Sequence, residues 1–379
     1  MIYFDSAATS YQRPKEVGRA VANAINTMGN GYRGTHGASL NTARMIHETR
    51  ELISEMFNAG GADRVAFTQN ATAGLNMAIK GVLESGDHAI TSVLDHNSVL
   101  RPLYEMDERG VELSITGCDK NGCLLYDELE ATVKRNTKAV IVTHASNLTG
   151  NLTDIRRIGR FCRERGILFL VDASQTAGII PIDMEADYID ILCFSGHKGL
   201  MGPQGTGVIC VRKGVEIRPL LTGGSGFKTF SKTHPDEMPS HLEAGTLNGH
   251  GIAGLNASLK YINKVGIDSI RKKEQKLMKE FYLKLKELSS IKIYGDFSSF
   301  DRAPIVAFNI GSIDSGEICS RLEADYGIQV RGGGHCAPLM HKALGTAHQG
   351  AVRFSFSHYN TMAEVKTALS ALTELVCEF

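Results

Sequence analysis

The chain reads as an α/β protein: a large domain built on a mostly parallel, doubly wound seven-stranded sheet, with a small α+β domain beside it. Three observations predict this. From about residue 60 to 212, short apolar runs alternate with helix-like ones. Several of those runs end on residues that carry chemistry, which is where such sheets bind ligands. After about residue 290 the pattern changes to short strands and helices in mixed order.

The strand candidates of the large sheet are Val65–Thr68, Ala89–Val93, Glu112–Thr116, Ala139–Thr143, Leu168–Asp172, Ile189–Phe194 and Gly207–Arg212. Helical stretches such as Ala73–Leu83 and Ile155–Arg165 lie between them. From Gly214 to about Glu243 the sequence is irregular and glycine-rich, which predicts a long loop of functional or interfacial kind. Two helices follow, Gly251–Val265 and Ile267–Leu288. The tail reads as strands Ile291–Tyr294 and Ile305–Ile310, helix Ser315–Tyr326, strand Ile328–Arg331, a loop around Cys336, strand Val352–Ser355 and helix Thr361–Val376. The first ~58 residues read as a loop and two helices that pack with this tail. Residues 15–250 are assigned to the large domain, and 1–14 with 251–379 to the small one.

Composition excludes several classes. Lysine plus arginine equals aspartate plus glutamate at 41 each, so no net field favours nucleic acid or an anionic membrane. No apolar run approaches the ~18 residues that span a bilayer. The start, Met1 to Asp5, lacks the basic and apolar regions of a signal peptide, so a cytoplasmic location is expected. The 8 cysteines form no Cys-x-x-Cys pair, and no metal site is expected. Cys162, Cys193 and Cys210 lie in apolar runs and read as small core residues.

Two sites carry most of the chemistry. Lys198 stands in Ser195-Gly196-His197-Lys198, behind an apolar strand, as a candidate Schiff-base former. Cys336 stands in Arg331-Gly332-Gly333-Gly334-His335-Cys336, on a glycine-flexible loop beside a histidine, as a candidate nucleophile. A lysine and a mobile thiol together suggest pyridoxal 5'-phosphate (PLP) chemistry that moves sulfur or selenium. PLP asks for a lysine, an acid for its ring nitrogen, an anion site for its phosphate and a stacking group. Asp172, ending the run Phe169-Leu170-Val171-Asp172, fits the acid; taken alone it reads more readily as a strand-end aspartate capping a turn. The segment Gln69-Asn70-Ala71-Thr72-Ala73-Gly74 follows a strand and opens a helix, so its N–H groups face an anion, with the Thr72 hydroxyl as a partner. It reads otherwise as an ordinary helix cap. Ser195 and His197 add donors to the same phosphate, and His96, in Leu94-Asp95-His96-Asn97-Ser98, offers a flat ring. The glycine fingerprint of a dinucleotide site is missing after these strands.

These residues, in this order, resemble the class V branch of fold-type I PLP enzymes, and within it the cysteine desulfurase and selenocysteine lyase family. The resemblance runs from Phe4-Asp5-Ser6-Ala7-Ala8-Thr9 to Arg353-Phe354-Ser355. Its strongest motifs are Val171-Asp172-Ala173-Ser174-Gln175, Ser195-Gly196-His197-Lys198, Glu243-Ala244-Gly245-Thr246 and Arg331 to Ala337. The last is similar to the short cysteine loop of the group II members. The resemblance implies that Lys198 holds PLP, His96 stacks on it, Asp172 binds the ring nitrogen and Gln175 the phenolic oxygen. It implies that Ala71, Thr72, Ser195 and His197 bind the phosphate, and that Thr246 reaches the phosphate of a partner subunit in a homodimer. Asn147 and Arg353 hold the substrate carboxylate, with His36 at the mouth of the site and His335 on the substrate side. Gly334 stands where group II members often carry a histidine, which bears on the choice between sulfur and selenium.

The expected reaction removes sulfur or selenium from L-cysteine or L-selenocysteine and gives L-alanine. Lys198 takes the Cα proton, Asp172 supports the ring, and the Cys336 thiolate attacks the chalcogen. His335 and a swinging glycine loop are the expected means of activating Cys336. The acceptor is expected to be a further protein. Three other readings stand beside this one. Another class V reaction, a transamination or a kynureninase-like cleavage, has no use for Cys336 in such a loop. A non-catalytic scaffold has no use for Lys198 and Asp172. A nicotinamide dehydrogenase needs the glycine fingerprint.

Overall fold

The computed structural model describes residues 1–31 and 34–378. Chain order opens with a short strand, β1 (Ile2–Tyr3), and two helices, α1 (Lys15–Thr27) and α2 (Gly37–Phe57). The large sheet then unfolds as β2 (Val65–Thr68), α3 (Ala71–Val82), β3 (His88–Ser92), α4 (Asn97–Glu108), β4 (Glu112–Thr116), α5 (Tyr126–Ala131), β5 (Thr137–Thr143), α6 (Ile155–Arg165), β6 (Leu168–Asp172), β7 (Ile191–Ser195) and β8 (Gly207–Val211). Helices α7 (Gly249–Val265) and α8 (Ile267–Leu285) lead to β9 (Ile291–Tyr294), β10 (Ile305–Ile310), α9 (Ser315–Tyr326), β11 (Ile328–Gln329), α10 (Pro338–Leu344), β12 (Val352–Ser355) and α11 (Met362–Glu378).

The large sheet has seven strands in the order β2-β8-β7-β6-β5-β3-β4. Within it β8 runs antiparallel to both β7 and β2, and the other pairings are parallel. Its central strands are apolar throughout because both faces are covered. The period of two divides their side chains. Val140, Val142, Phe169, Val171, Leu192 and Phe194 face one core, covered by α2, α6 and α7. Ala139, Ile141, Leu170, Ile191 and Cys193 face the other, covered by α3 and α4. Each crossover helix therefore presents one apolar stripe, as in Leu75, Ala78, Ile79 and Val82 of α3.

Beyond α7 the architecture changes. Strands β9, β10 and β12 form an antiparallel sheet, and β1 pairs in parallel with β11. Helices α8, α9 and α11 close a third core on this sheet, with Phe4, Phe281, Phe308, Phe354 and Phe356 inside it. The first ~58 residues do not pack with the tail as a unit. Helices α1 and α2 lie on α7, and Ile46, Ile53 and Phe57 of α2 join the large core. The N-terminal arm alone joins the tail, through β1 and the Asp5–Ser355 bridge. The apolar face of α7 carries Leu255, Leu259 and Ile262, and it too faces the large sheet. Sequence periodicity marks which face of a helix is buried, not which sheet buries it. No helix among the described residues is long and apolar enough to cross a membrane.

One glycine in this frame bears directly on the site. A Cβ at Gly207, on β8, would lie 2.4 Å from the carbonyl carbon of Asn70 and 2.5 Å from its Cα. Strand β8 is thus pressed against the residue that caps α3. Gly207→Ala is expected to destabilise the protein by about 1–3 kcal/mol, as overpacking against backbone does. Thermal denaturation measures this, and an unchanged melting temperature contradicts the close packing.

Candidate active site

The carboxyl ends of β2, β3, β5, β6 and β7 each deliver one functional segment. After β2, Asn70 caps α3 by accepting from the N–H of Ala73. The Ala71 N–H donates to Ser195 Oγ at 3.0 Å, so β7 holds the start of α3 in place. Thr72 is exposed on that first turn. After β3, buried Asp95 closes the turn: its Oδ2 accepts from Thr91 Oγ1, Ser92 N and Ser92 Oγ at 2.9, 2.9 and 2.6 Å. This sets His96 at the head of α4, where its Nδ1 accepts from the Ser98 N–H at 3.0 Å.

Asp172 ends β6 and is 3% exposed. Its Oδ1 accepts from the Ser174 N–H and hydroxyl at 2.9 and 2.5 Å, which orients the carboxylate. Lys198 follows β7. Burial lowers its pKa to about 8, with Arg353 and Arg331 adding to the effect and Asp172 opposing it. Burial also holds His96 near a pKa of about 4, again with Asp172 opposing and Lys198, Arg331 and Arg353 assisting. These five groups thus share one electrostatic neighbourhood. His197 is likewise lowered to about 4, by burial and then by Lys198 and Arg13. At neutral pH both imidazoles are uncharged.

The N-terminal arm lies along this site. Ser10 N donates to the His197 carbonyl at 2.9 Å, and Ser10 Oγ to the Lys198 carbonyl at 2.7 Å. Thr9 Oγ1 is 3.0 Å from His197 Nδ1. Gln175 Nε2 donates to the Ala7 carbonyl at 3.2 Å. Asp5 Oδ1 accepts from an Arg353 terminal nitrogen at 2.7 Å, while the other donates to the Asn147 carbonyl at 2.9 Å. Arg353 is 1% exposed, and its Nε has no partner among the described residues. Asn147 Oδ1 and His335 Nδ1, in the same network, are buried and likewise without a partner among the described residues. An amino-acid ligand would supply partners for such groups.

Hydrogen bonds from several elements hold the cysteine loop in the described conformation. Asn147 Nδ2 donates to the His335 carbonyl at 2.6 Å, and the Asn97 N–H to the Cys336 carbonyl at 2.8 Å. Gly333 N donates to Ser315 Oγ at 3.0 Å, and its carbonyl accepts from Ala351 N at 3.2 Å. The His335 ring points into the protein: it is 2% exposed and its Nε2 meets the Ala351 carbonyl at 2.8 Å. Burial pushes its pKa well below the usual value, so its ring is a poor proton acceptor for the thiol. Cys336 itself is exposed. His335 and Cys336 both adopt left-handed backbone angles, φ 48° and 56°, which L residues rarely take. Gly334 has open space at its Cβ position and no left-handed φ, so a side chain fits there.

The structure therefore gathers most of the residues picked out in the sequence: Ala71, Thr72, His96, Asn147, Asp172, Gln175, Ser195, His197, Lys198, His335, Cys336 and Arg353. Two stand apart within the chain. Thr246 is exposed and lines a separate cavity of about 150 Å³ with Gln69, Ala73 and Leu221. His36 is exposed at the head of α2, with its ring against Ser39 Oγ. Sequence reading passed over Asp5, Arg331 and Ser98. Asp5 and Arg331 lie inside the quoted motifs, and a charged residue there was the available signal. Ser98 gave none.

The lysine, the oriented carboxylate and the capped helix start fit PLP as a group. A doubly wound sheet brings them together at its strand ends, where α/β folds of this class bind ligands. The comparisons give the family. The aminotransferase class-V profile matches residues 2–368. The chain is 36% identical over 388 residues to a probable cysteine desulfurase of Pyrococcus abyssi, covering 99% of this chain and 94% of that protein. It is 34% identical over 384 residues to a probable cysteine desulfurase of Methanothermobacter thermautotrophicus, with 99% and 94% covered. The apo structure of a cysteine desulfurase from Thermococcus onnurineus NA1 superposes with a TM-score of 0.92 at 33% identity, over 100% of this chain and 95% of that one. The chain belongs to the aminotransferase class-V family, in its cysteine desulfurase branch, and has the fold-type I architecture. This family depends in general on PLP.

Exposure makes a direct prediction about the thiols. Under native conditions iodoacetamide is expected to modify Cys336 and Cys377 first, and to leave buried Cys162, Cys193 and Cys210 untouched. Peptide mass spectrometry checks the order. Protection of Cys336 contradicts its placement on the surface of the site.

Proposed function

We propose that the protein is a PLP-dependent cysteine desulfurase that yields L-alanine and a persulfide on Cys336. The observation that carries this is the exposed Cys336, fixed through its own carbonyl to the turn that presents His96. Other class V reactions have no need of a thiol held there.

PLP, when bound, supplies an electron sink for negative charge at the substrate Cα. The chain supplies the rest. Lys198 is its anchor and its Nζ moves the Cα proton; a pKa near 8 leaves about a tenth of the amine free at pH 7. Asp172 would keep the ring nitrogen protonated, and Gln175 would serve the phenolic oxygen. His96 would hold the ring. Ala71, Thr72, Ser195 and His197 would hold the phosphate, where the N–H groups of α3 favour an anion. Arg353 and Asn147 hold the substrate carboxylate. We add Arg331, whose guanidinium has no ion pair among the described residues, as a further partner for that carboxylate. His36 and His335 lie on the substrate side, His335 as an anchor of the loop. The Cys336 thiolate attacks the substrate Sγ, the Cβ–Sγ bond breaks, and Cβ gains a proton as alanine forms. The outer sulfur then passes to an acceptor protein.

The same reading extends to L-selenocysteine. A selenol is already ionised at neutral pH and its bond to carbon is weaker, so it demands less of Cys336. A homodimer belongs to the proposal, because Thr246 is exposed and free to meet the phosphate of a second copy. So does a division into a large and a small domain, with helix α7 counted with the large sheet on which it packs. Eight free thiols suit a reducing, cytoplasmic setting.

Borohydride reduction of the PLP-loaded protein is expected to place the phosphopyridoxyl label on Lys198. PLP capture should quicken as pH rises toward about 8 and then level off, since the amine attacks only when deprotonated. A label on another lysine defeats the cofactor reading. The activity reading is tested by Cys336→Ala. Alanine formation from L-cysteine should fall to background while PLP stays bound, with some turnover of L-selenocysteine retained. Full cysteine turnover in this variant favours a different class V reaction.

A further inference from the structure

His96, Ser98 and Thr72 form a line of polar contacts across two helix starts. His96 Nδ1 lies 2.9 Å from Ser98 Oγ and also accepts the Ser98 N–H at 3.0 Å. Ser98 Oγ lies 2.8 Å from Thr72 Oγ1. Each hydroxyl has one proton to give. Thr72 donating to Ser98, and Ser98 donating to His96, satisfies every contact in the line, and leaves Thr72 to meet the phosphate through its backbone N–H rather than its hydroxyl. Nδ1 then carries no proton, and the ring proton sits on Nε2. The next residue, Asn97, holds the Cys336 carbonyl through its N–H. One turn of α4 thus fixes the imidazole and the cysteine loop together.

We propose that Ser98 is a positioning residue: its hydroxyl joins Thr72 to His96 Nδ1 and so locks the ring in its orientation, with Nε2–H as the donor it presents. The proposal rests on the reading of His96 and Thr72 as cofactor-facing groups. A second donor to Nδ1 stabilises the neutral ring, because protonation at Nδ1 forfeits it. The charged groups that act on His96 from the neighbouring elements are Asp172, Lys198, Arg331 and Arg353. None of them changes in a Ser98 variant, so any movement on substitution reports the hydroxyl.

The test uses full-length PLP-loaded protein with ring-15N histidine. In Ser98→Ala the His96 ring nitrogens should shift and its ionisation should rise by about 0.5–1 pH unit, the worth of one hydrogen bond. Ser98→Thr should restore the wild-type spectrum. His88 and His144, which have hydroxyl partners of their own, serve as internal references and should not move. Unchanged His96 nitrogens and ionisation in Ser98→Ala overturn the proposal. If that variant does not fold, Thr72→Val is read instead: a smaller shift in the same direction supports the relay, and none overturns it. The borohydride label at Lys198, taken on the same samples, reports separately on the cofactor reading.

Discussion

Arg353 is a guanidinium with almost no access to water, and the site is assembled around the partners it requires. An unpaired charge at that depth is strongly disfavoured, and removing one partner of a buried pair costs about 3–5 kcal/mol. Asp5 supplies the counter-charge and the Asn147 carbonyl the second acceptor. Asp5 comes from the first residues of the chain, Asn147 from the segment after β5, and Arg353 from β12. One charge therefore draws the N-terminal arm, the large sheet and the small sheet to a single point. The backbone bonds between Arg331 and Arg353 add the start of the cysteine loop to it. The arm goes on to bind the carbonyls of His197 and Lys198, so the lysine turn is tied to the same anchor.

That construction also sets the local field. The chain is neutral overall, yet Lys198, Arg331 and Arg353 cluster here against Asp172 and Asp5. Burial strips His96 and His197 of charge and brings Lys198 within reach of neutrality. The result is a pocket whose fixed cations suit anionic groups, whose imidazoles are uncharged at neutral pH, and whose lysine keeps a minor share of free amine. On the proposed reading this is what an amino-acid carboxylate and a phosphate require, and what a proton-moving amine requires.

Much of this was legible in the sequence because the signals were local. Strands such as Leu168–Asp172 and Ile305–Ile310 are apolar runs bounded by polar residues, and the structure has them at those limits. The lysine and aspartate frames stood out because each follows such a run. The rest depends on contacts distant in sequence. The Asp5–Arg353 pair spans 348 positions, and no period or propensity reveals it. Strand β1 is two residues long and exists only because β11 lies beside it. Helices α1 and α2 show a clear apolar stripe, but the stripe cannot say whether the tail or the large sheet will bury it. The hold on the cysteine loop is of the same kind: three consecutive glycines promise freedom, and the bonds with Ser315, Ala351, Asn97 and Asn147 that hold this conformation are not written in them.

A tied loop changes what a reactive cysteine needs. If the loop swept across the site, the thiol would find the substrate by motion, and its histidine neighbour would travel with it as a base. Here the carbonyls of His335 and Cys336 are both held, one by Asn147 and one by the His96 turn. Two successive non-glycine residues stay left-handed, at a cost of about 1–3 kcal/mol each, because those bonds over-determine them. In this arrangement Cys336 is exposed and the His335 ring is buried. On the proposed reading, then, Cys336 is made effective by where it is held, and the substrate is brought to the thiol. The same exposure leaves the sulfur open to an acceptor without any unfolding of the loop.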